Sequence, residues 1–193
     1  MAKKHDIIRE ATLLFAEKGF QGTSIVDISK AVSLSASAGG IYRHFKSKRA
    51  IFDAIFDIYF ETFDSFLSHV NFNVSENSGD HKRTLARGLI TLSLQQAKTN
   101  KYTIKLYFRE RERLSDIHVA QAKKLREDSI NAFRFVCQYV AGGEVDFDCE
   151  AVAALFIDSI NFRVCEFAPD FGISEERFVR STTDLLYALV VGK

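Results

Sequence analysis

The stretch that decides the fold is YRHFKSK at residues 42–48, together with two segments ahead of it, LFAEKGF at residues 14–20 and TSIVDI at residues 23–28. The first segment joins an apolar helical pattern to a glycine that can end a helix, and the second begins with hydroxyl residues that can start one. Three short helices separated by tight breaks, with a basic and aromatic end, suit the reading of a DNA groove.

Helical periodicity and capping signals set the limits of the first two helices. Apolar residues recur at helical spacing over residues 7–15, and Gly19 is placed where a helix C-terminus is expected. Thr23 or Ser24 is a suitable N-cap for the second helix. Asp27 stands where a capping box has its acid.

The remainder of the chain also has helical periodicity. Ser47 is expected to cap the fourth helix, and its apolar residues, many of them Phe, repeat at three- and four-residue steps over Phe52–Val70. Later apolar stripes cover residues 82–99, 103–113, 116–140, 148–168 and 174–191. Strand-like alternation is absent and Pro169 is the single proline, so the pattern predicts an all-α protein of about nine helices.

The chain carries no sign of a membrane or secreted protein. No run of about 18 apolar residues is present, and the N-terminus leads into an amphipathic pattern instead of the apolar block of a signal peptide. We therefore expect a cytoplasmic protein without a membrane partner.

Charge is distributed unevenly although the formal net charge is only +1. Residues 1–53 contain nine Lys/Arg and five Asp/Glu, a net charge of +4, while the remainder contains 17 and 20, a net charge of −3. A basic head on a slightly acidic body fits a polyanionic partner at one end of the molecule.

The residues quoted above resemble the TetR family of transcriptional regulators. The segments LFAEKGF, TSIxDI and IYxHFxSK occur in the order typical of that family. The resemblance implies a DNA-binding domain at residues 1–50, in which helices two and three form a helix-turn-helix and helix three enters the major groove. It implies a helical ligand-binding and dimerisation domain at residues 51–193, usually closed by a four-helix bundle from the last two helices of each subunit.

The chain departs from the family pattern in the turn before helix three. Tyr42 follows Ser35 by seven residues instead of five, so two extra residues lie within Ala36–Gly39. Ser33 stands where the family has a glycine in a left-handed conformation, which serine adopts less readily. The start of helix three, and the side chain that meets each base, are therefore left open.

The resemblance and the residue chemistry together predict the DNA contacts. Hydroxyl groups and lysines suit phosphates, and Thr23 is either a phosphate ligand or only a cap. Arg43 is the candidate for a guanine contact, with a backbone contact as the alternative. The predicted set is Thr23, Ser24, Ser35, Ala36, Ser37, Gly39, Tyr42, Arg43, His44, Lys46 and Lys48.

The body is rich in Phe, which suits an apolar pocket for a small hydrophobic or aromatic effector, although most of this expectation comes from the resemblance. The run RERER at residues 109–113 is read as a solvated helix end, or as the source of one arginine for an acidic ligand. The predicted pocket residues are Phe60, Phe63, Phe66, Tyr107, Phe108, Arg109, Phe133, Asn161 and Phe162. The predicted dimer contacts are Asp158, Phe178, Thr182, Leu185 and Leu189.

These features favour a dimeric repressor that binds a palindromic operator and is released by the effector. The alternative is a constitutive DNA-binding or architectural protein without a small ligand. An enzyme is disfavoured, because no phosphate-binding glycine loop, HExxH, GxSxG or Cys/His ligand set is present. We expect no cofactor and no metal. The three cysteines are read as core residues, with a redox-sensing thiol as the alternative.

Overall fold

A computed structural model describes residues 4–32, 39–69, 79–166 and 172–191, with side chains of residues 67–69 left out. Within these residues the chain forms nine α-helices and one turn of 3₁₀ helix, Arg111–Arg113, and contains no strand. The helices are α1 (Lys4–Lys18), α2 (Ile25–Ala31), α3 (Gly39–Tyr42), α4 (Lys48–His69), α5 (Gly79–Thr99), α6 (Lys101–Glu110), α7 (Asp116–Ala141), α8 (Cys149–Val164) and α9 (Glu175–Val191). The predicted all-α fold is confirmed.

Local signals place the helix ends where the sequence predicted them. Gly19 follows α1 with a φ of +80°, and its N–H donates to the Phe15 carbonyl at 2.9 Å, as a C-terminal glycine does. Ser47 precedes α4, and its hydroxyl accepts from the Ala50 N–H at 3.0 Å. The predicted helix over residues 148–168 is shorter than expected, because α8 ends at Val164 and Glu166 has a φ of +57°.

The chain divides into two compact units whose limits differ from the functional domains predicted from the sequence. The first unit contains residues 1–66 and 100–123, and the second contains residues 67–99 and 124–193. The first unit therefore combines α1–α3 and most of α4 with α6 and the start of α7. Because the units describe packing only, the functional division at residue 50 stays a prediction.

Aromatic side chains form the core of the first unit. Phe15, Phe52 and Phe56 are fully buried, and Phe20 packs on this cluster, with its ring centroid 5.4 Å from that of Phe15 and 5.2 Å from that of Phe52. α1 packs against both α2 and α6. The Phe-rich start of α4 thus fills the interior of the unit that carries the basic head.

The second unit is built around α5, which packs against both α8 and α9. Phe133 on α7 contacts Phe156 on α8, with ring centroids 5.5 Å apart, and both side chains are buried. All three cysteines are buried free thiols, as predicted, and burial raises the pKa of the Cys137 thiol to about 12. Within the described segments, no helix has the length and apolar character that a membrane span requires.

Candidate nucleic-acid interface

The end of α3 and the turn after it present a row of exposed polar side chains on a buried support. Ile41 and Phe45 are buried and anchor this segment in the first unit. The exposed members of the row are Tyr42, Arg43, His44 and Lys46. The segment is therefore fixed from below by apolar contacts while its hydroxyl, imidazole, ammonium and guanidinium groups face outward, which is the chemistry that phosphate and base-edge contacts need.

Ser24 precedes α2 and caps it in a complete capping box. Its hydroxyl accepts from the Asp27 N–H at 3.1 Å, and its own N–H donates to the Asp27 carboxylate at 2.8 Å. The hydroxyl also donates to this carboxylate at 2.6 Å. These bonds from Ser24 lower the pKa of Asp27. The predicted cap is confirmed, and it is Ser24 that occupies it.

Thr23 is buried, and its hydroxyl is bonded within the chain. Its side chain is 1% exposed, and its hydroxyl donates to the carbonyls of Gly19 at 2.9 Å and Leu14 at 3.2 Å. A buried hydroxyl that is bonded to the end of α1 cannot meet a phosphate in solution. The prediction that Thr23 is a phosphate ligand or a cap is therefore corrected, since it joins the end of α1 to the start of α2.

Lys48 has a structural role that the sequence did not indicate. Its ammonium donates to the carbonyls of Phe20 at 2.7 Å and Thr23 at 2.8 Å, and it lies 4.4 Å from the centroid of the Phe20 ring. Two of its three N–H donors are thus used within the chain. A phosphate contact, which stays a prediction, would use the third.

The turn before α3 is only partly described. Gly39 begins the described part of α3 and is exposed. The predicted contacts Ser35, Ala36 and Ser37, and the predicted two-residue insertion, lie outside the described residues.

A polar network that the sequence analysis did not predict joins α6 to the basic head, residues 1–53. Glu110, whose side chain is only 11% exposed, accepts the Phe20 N–H at 2.9 Å and also accepts from Arg113 at 2.8 Å. Arg109 donates to the carbonyls of Glu17 at 2.8 Å and Ala16 at 3.4 Å, at the end of α1. The run RERER is therefore not only a solvated helix end, because its side chains form hydrogen bonds to the backbone at the end of α1.

The same network continues to α4 and to the first turn of α7. Arg49 donates to the Arg113 carbonyl at 2.8 Å and to both carboxylate oxygens of Asp53 at 2.9 and 3.0 Å. On the next turn of α4, Asp57 lies 2.9 Å from Nε2 of His118, which is buried against the rings of Phe56 and Phe60. Since a carboxylate can only accept, Nε2 is assigned as the protonated ring nitrogen.

The sequence contained only a weak signal for this network. Glu110 and Arg113 are three residues apart, a spacing at which an ordinary exposed ion pair forms on a helix. Nothing in that spacing indicates that Glu110 also binds a backbone N–H ninety residues earlier. Such partners are set by packing, and a single sequence does not reveal them.

The predicted pocket residues are divided between the two units. Phe60, Phe63, Phe66, Tyr107, Phe108 and Arg109 belong to the first unit, and Phe133, Asn161 and Phe162 belong to the second. Phe60 and Phe133 are buried, while Phe108 and Phe162 are exposed by about half. Nη1 of Arg109 already donates to the end of α1, so a contact with an acidic ligand would use the other N–H donors of this guanidinium or displace those bonds. The pocket stays a prediction.

The predicted dimer residues all lie in the second unit and differ in exposure. Leu185 is 57% and Leu189 46% exposed, whereas Leu186 on the same helix is buried. Phe178 is half-buried beneath the guanidinium of Arg163, and Asp158 is exposed and lies 3.8 Å from Arg126. α9 therefore has one apolar face inside the unit and a second one that is uncovered.

No set of three or more His, Cys, Asp or Glu side chains within the described segments is arranged to hold a metal ion.

Comparison with protein families identifies the segment that carries the interface. Residues 7–55 match the model of the family described as bacterial regulatory proteins, tetR family. This segment contains most of α1, all of α2, the described part of α3, and the start of α4 with Lys48 and Arg49. The resemblance inferred from the sequence is confirmed.

Two curated relatives share parts of this sequence. The uncharacterized HTH-type transcriptional regulator YuxN of Bacillus subtilis is 31% identical over 133 residues, which are 67% of this chain and 43% of YuxN. The biofilm operon icaADBC HTH-type negative transcriptional regulator IcaR of Staphylococcus aureus is 42% identical over 50 residues, 26% of each chain. The chain thus aligns with less than half the length of either relative.

A solved structure extends the likeness of fold to the whole chain. The ketosteroid transcriptional regulator KstR2 of Mycobacterium tuberculosis superposes with a TM-score of 0.75, covering 100% of this chain and 96% of KstR2 at 17% identity. At this identity the likeness concerns the fold alone.

Proposed function

Because residues 7–55 match the model of the tetR family of bacterial regulatory proteins, we propose that this chain is a DNA-binding transcriptional regulator that acts as a homodimer. The observation that carries the proposal is the exposed polar row at residues 42–46, which lies within the family-matched segment and is supported by buried apolar residues. Repression is the direction we favour, because the relative IcaR is named a negative regulator. Such a regulator would act in the bacterial cytoplasm.

The proposed DNA contacts come from the exposed residues of the head. Ser24, Tyr42 and Lys46 would bind phosphates, and Arg43 would donate to a guanine in the major groove. Gly39, His44 and Lys48, the last through its third N–H donor, complete the described set, to which residues 35–37 are added from the sequence. Thr23 is left out because it is buried.

The proposed dimer forms through α8 and α9. Leu155 and Phe162 on α8 are 72% and 53% exposed, and they lie seven residues apart, on one face of the helix. Leu185 and Leu189 form a similar face on α9. Helices that are apolar on the outside as well as inside need a covering partner, and a second copy provides two heads for a palindromic site.

A ligand response is proposed on the basis of the family resemblance and the polar network of the first unit. An effector changes DNA affinity only if it binds two arrangements of the head with different affinity. Glu110 and Arg109 hold the end of α1, so a ligand that displaces them would loosen the head. The constitutive alternative predicts instead that no small molecule alters DNA affinity.

Selection from a genomic DNA library should test the central proposal. We expect enrichment of a roughly palindromic site, with half-sites one helical turn or a multiple apart. Arg43→Ala should weaken binding by about 1–3 kcal/mol and relax preference at one base position. Arg177→Ala, which removes an exposed arginine of the second unit, is the matched control. If no sequence is enriched and Arg43→Ala binds DNA as the wild type does, the regulator proposal fails.

Sedimentation equilibrium tests the dimer separately. Leu185→Glu should shift the protein to a monomer and weaken operator binding, because a charge is placed in the proposed apolar interface. Leu92→Glu is the control, since Leu92 is similarly exposed, at 41%, on α5. A wild-type protein that is monomeric at micromolar concentration would contradict the proposed interface.

A further inference from the structure

We propose that the groove between α5 and α9 in the second unit is a binding site for a small organic anion that presents a carboxylate or phosphate group. The groove is open to solvent, has a volume of about 400 Å³, and is lined by Asp80, Arg83, Thr84, Arg87, Arg180, Thr183 and Asp184. It contains none of the residues proposed for DNA contact, dimerisation or the predicted apolar pocket, and it is a site distinct from them.

The two helices run antiparallel and are joined by ion pairs at both ends of their contact. Lys98 near the end of α5 pairs with Glu175 at the start of α9, at 2.7 Å. Arg83 near the start of α5 pairs with Asp184 farther along α9, and its guanidinium lies over the ring of Tyr187. Each of these cations therefore has a carboxylate partner on the facing helix, and the Arg83–Asp184 pair lines the groove.

The arginines between these two pairs break that pattern. Arg87 on α5 and Arg180 on α9 line the same groove. Neither of them forms a hydrogen bond or ion pair with another described residue. Two arginines without a carboxylate partner thus line one groove. Its lining contains three arginines and two aspartates, so the groove has a net charge of +1.

Guanidinium groups define the class of ligand. Each arginine presents several N–H donors in a fixed planar arrangement that matches the oxygens of a carboxylate or phosphate. The hydroxyls of Thr84 and Thr183 donate to their own helix carbonyls, of Asp80 and Val179, at 2.8 and 2.7 Å. The arginines therefore supply the donors, and the threonines shape the floor of the groove.

Asp80 provides a further test of the site, because its carboxylate should repel a bound anion and weaken its binding. Its carboxylate lines the groove, and it pairs with neither Arg87 nor Arg180. With Asp184 neutralised by Arg83, the lining carries two free guanidinium groups and one free carboxylate. Removing the Asp80 charge should therefore strengthen the binding of a simple anion, an effect opposite in sign to that of removing an arginine.

Isothermal titration calorimetry on the full chain, at fixed ionic strength, tests the site with inorganic phosphate and with succinate. We expect saturable binding of one anion per chain, and the stronger of the two probes distinguishes a phosphate ester from a carboxylate ligand. Arg87→Gln and Arg180→Gln should each weaken this binding about 10- to 100-fold. Asp80→Asn should strengthen it.

Arg177→Gln is the matched control, because Arg177 lies on α9 one turn before Arg180 but does not line the groove. It should leave the affinity unchanged, and circular dichroism should show the same helix content in every variant. Absence of saturable binding for both probes, or equal weakening by Arg177→Gln, overturns the proposal. Since the measurement is anion binding alone, its outcome does not depend on whether the protein binds DNA.

Discussion

The two units of this molecule contain the same types of charged side chain, but these side chains bond to different partners. In the first unit, charged groups bond to the backbone: Glu110 holds the Phe20 N–H, and Lys48 holds two carbonyls. In the second unit, the pairs between α5 and α9 join side chain to side chain, and each member is about half exposed. Exposed pairs contribute little to stability, whereas charged groups that satisfy partly buried backbone groups contribute more. We therefore expect the charged contacts of Glu110 and Lys48 to contribute more to stability than the pairs between α5 and α9.

Glu110→Ala should give the largest effect of the changes that test this contrast. It leaves the Phe20 N–H and the Arg113 guanidinium without their carboxylate, and we expect the free energy of unfolding to fall by about 2 kcal/mol. Urea denaturation measures the change. Glu110→Gln, which keeps an acceptor oxygen, should lose less. An effect no larger than that of Glu175→Ala would remove the distinction between the units.

Lys48→Ala should come next, with a loss of about 1.5 kcal/mol in unfolding free energy, because the Phe20 and Thr23 carbonyls lose a charged donor. Lys46→Ala is its counterpart, since Lys46 is exposed and belongs to the polar row at residues 42–46. It should leave stability unchanged, weaken all DNA sequences alike and reduce the salt slope of binding by about 1. If Lys48→Ala loses DNA affinity without any loss of stability, Lys48 acts only as a phosphate ligand and its structural role is contradicted.

The capping box at the start of α2 should give a smaller, pH-dependent effect. Bonds from Ser24 lower the folded-state pKa of Asp27 below its ordinary value of 3.8. The stabilisation is therefore present above the unfolded-state pKa and is lost as the pH falls through the lower folded-state value. Thermal melts of wild type and Asp27→Asn at pH 7 and at stepwise lower pH should converge below pH 3.8. A difference that is independent of pH would show that the charge of Asp27 does not contribute.

Lys98→Ala should have the smallest effect. Its pair with Glu175 is exposed at both ends, and we expect a change in unfolding free energy within about 0.5 kcal/mol. The double variant with Glu175→Ala completes a double-mutant cycle that isolates the pair. A coupling energy as large as the loss for Glu110→Ala would show that the second unit is also held by its charges.

The features that local sequence determines were predictable. Helical periodicity gave the all-α fold, and glycine and serine signals gave the end of α1 at Gly19 and the caps at Ser24 and Ser47. These signals act within one turn of a helix, so a single sequence contains both partners at a fixed spacing. The order of the family segments supplied the assignment of residues 7–55.

The features that depend on distant partners were not predictable. Thr23 is a residue type that often caps a helix at the surface, yet its hydroxyl is buried against the end of α1. Lys48 looks like a phosphate ligand, yet two of its donors are taken by carbonyls more than twenty residues earlier. Arg87 and Arg180 lie on helices far apart in sequence, and only the fold brings them to one groove.

The bond between the Phe20 N–H and Glu110 also has a consequence for hydrogen exchange. Phe20 follows the end of α1, where a backbone amide would ordinarily exchange rapidly with solvent deuterium. Because its proton is held by a carboxylate on α6, exchange requires that the head separate from that helix. The exchange rate of this single amide therefore reports how often its hydrogen bond to Glu110 opens. An effector that separates the head from α6 should increase this rate.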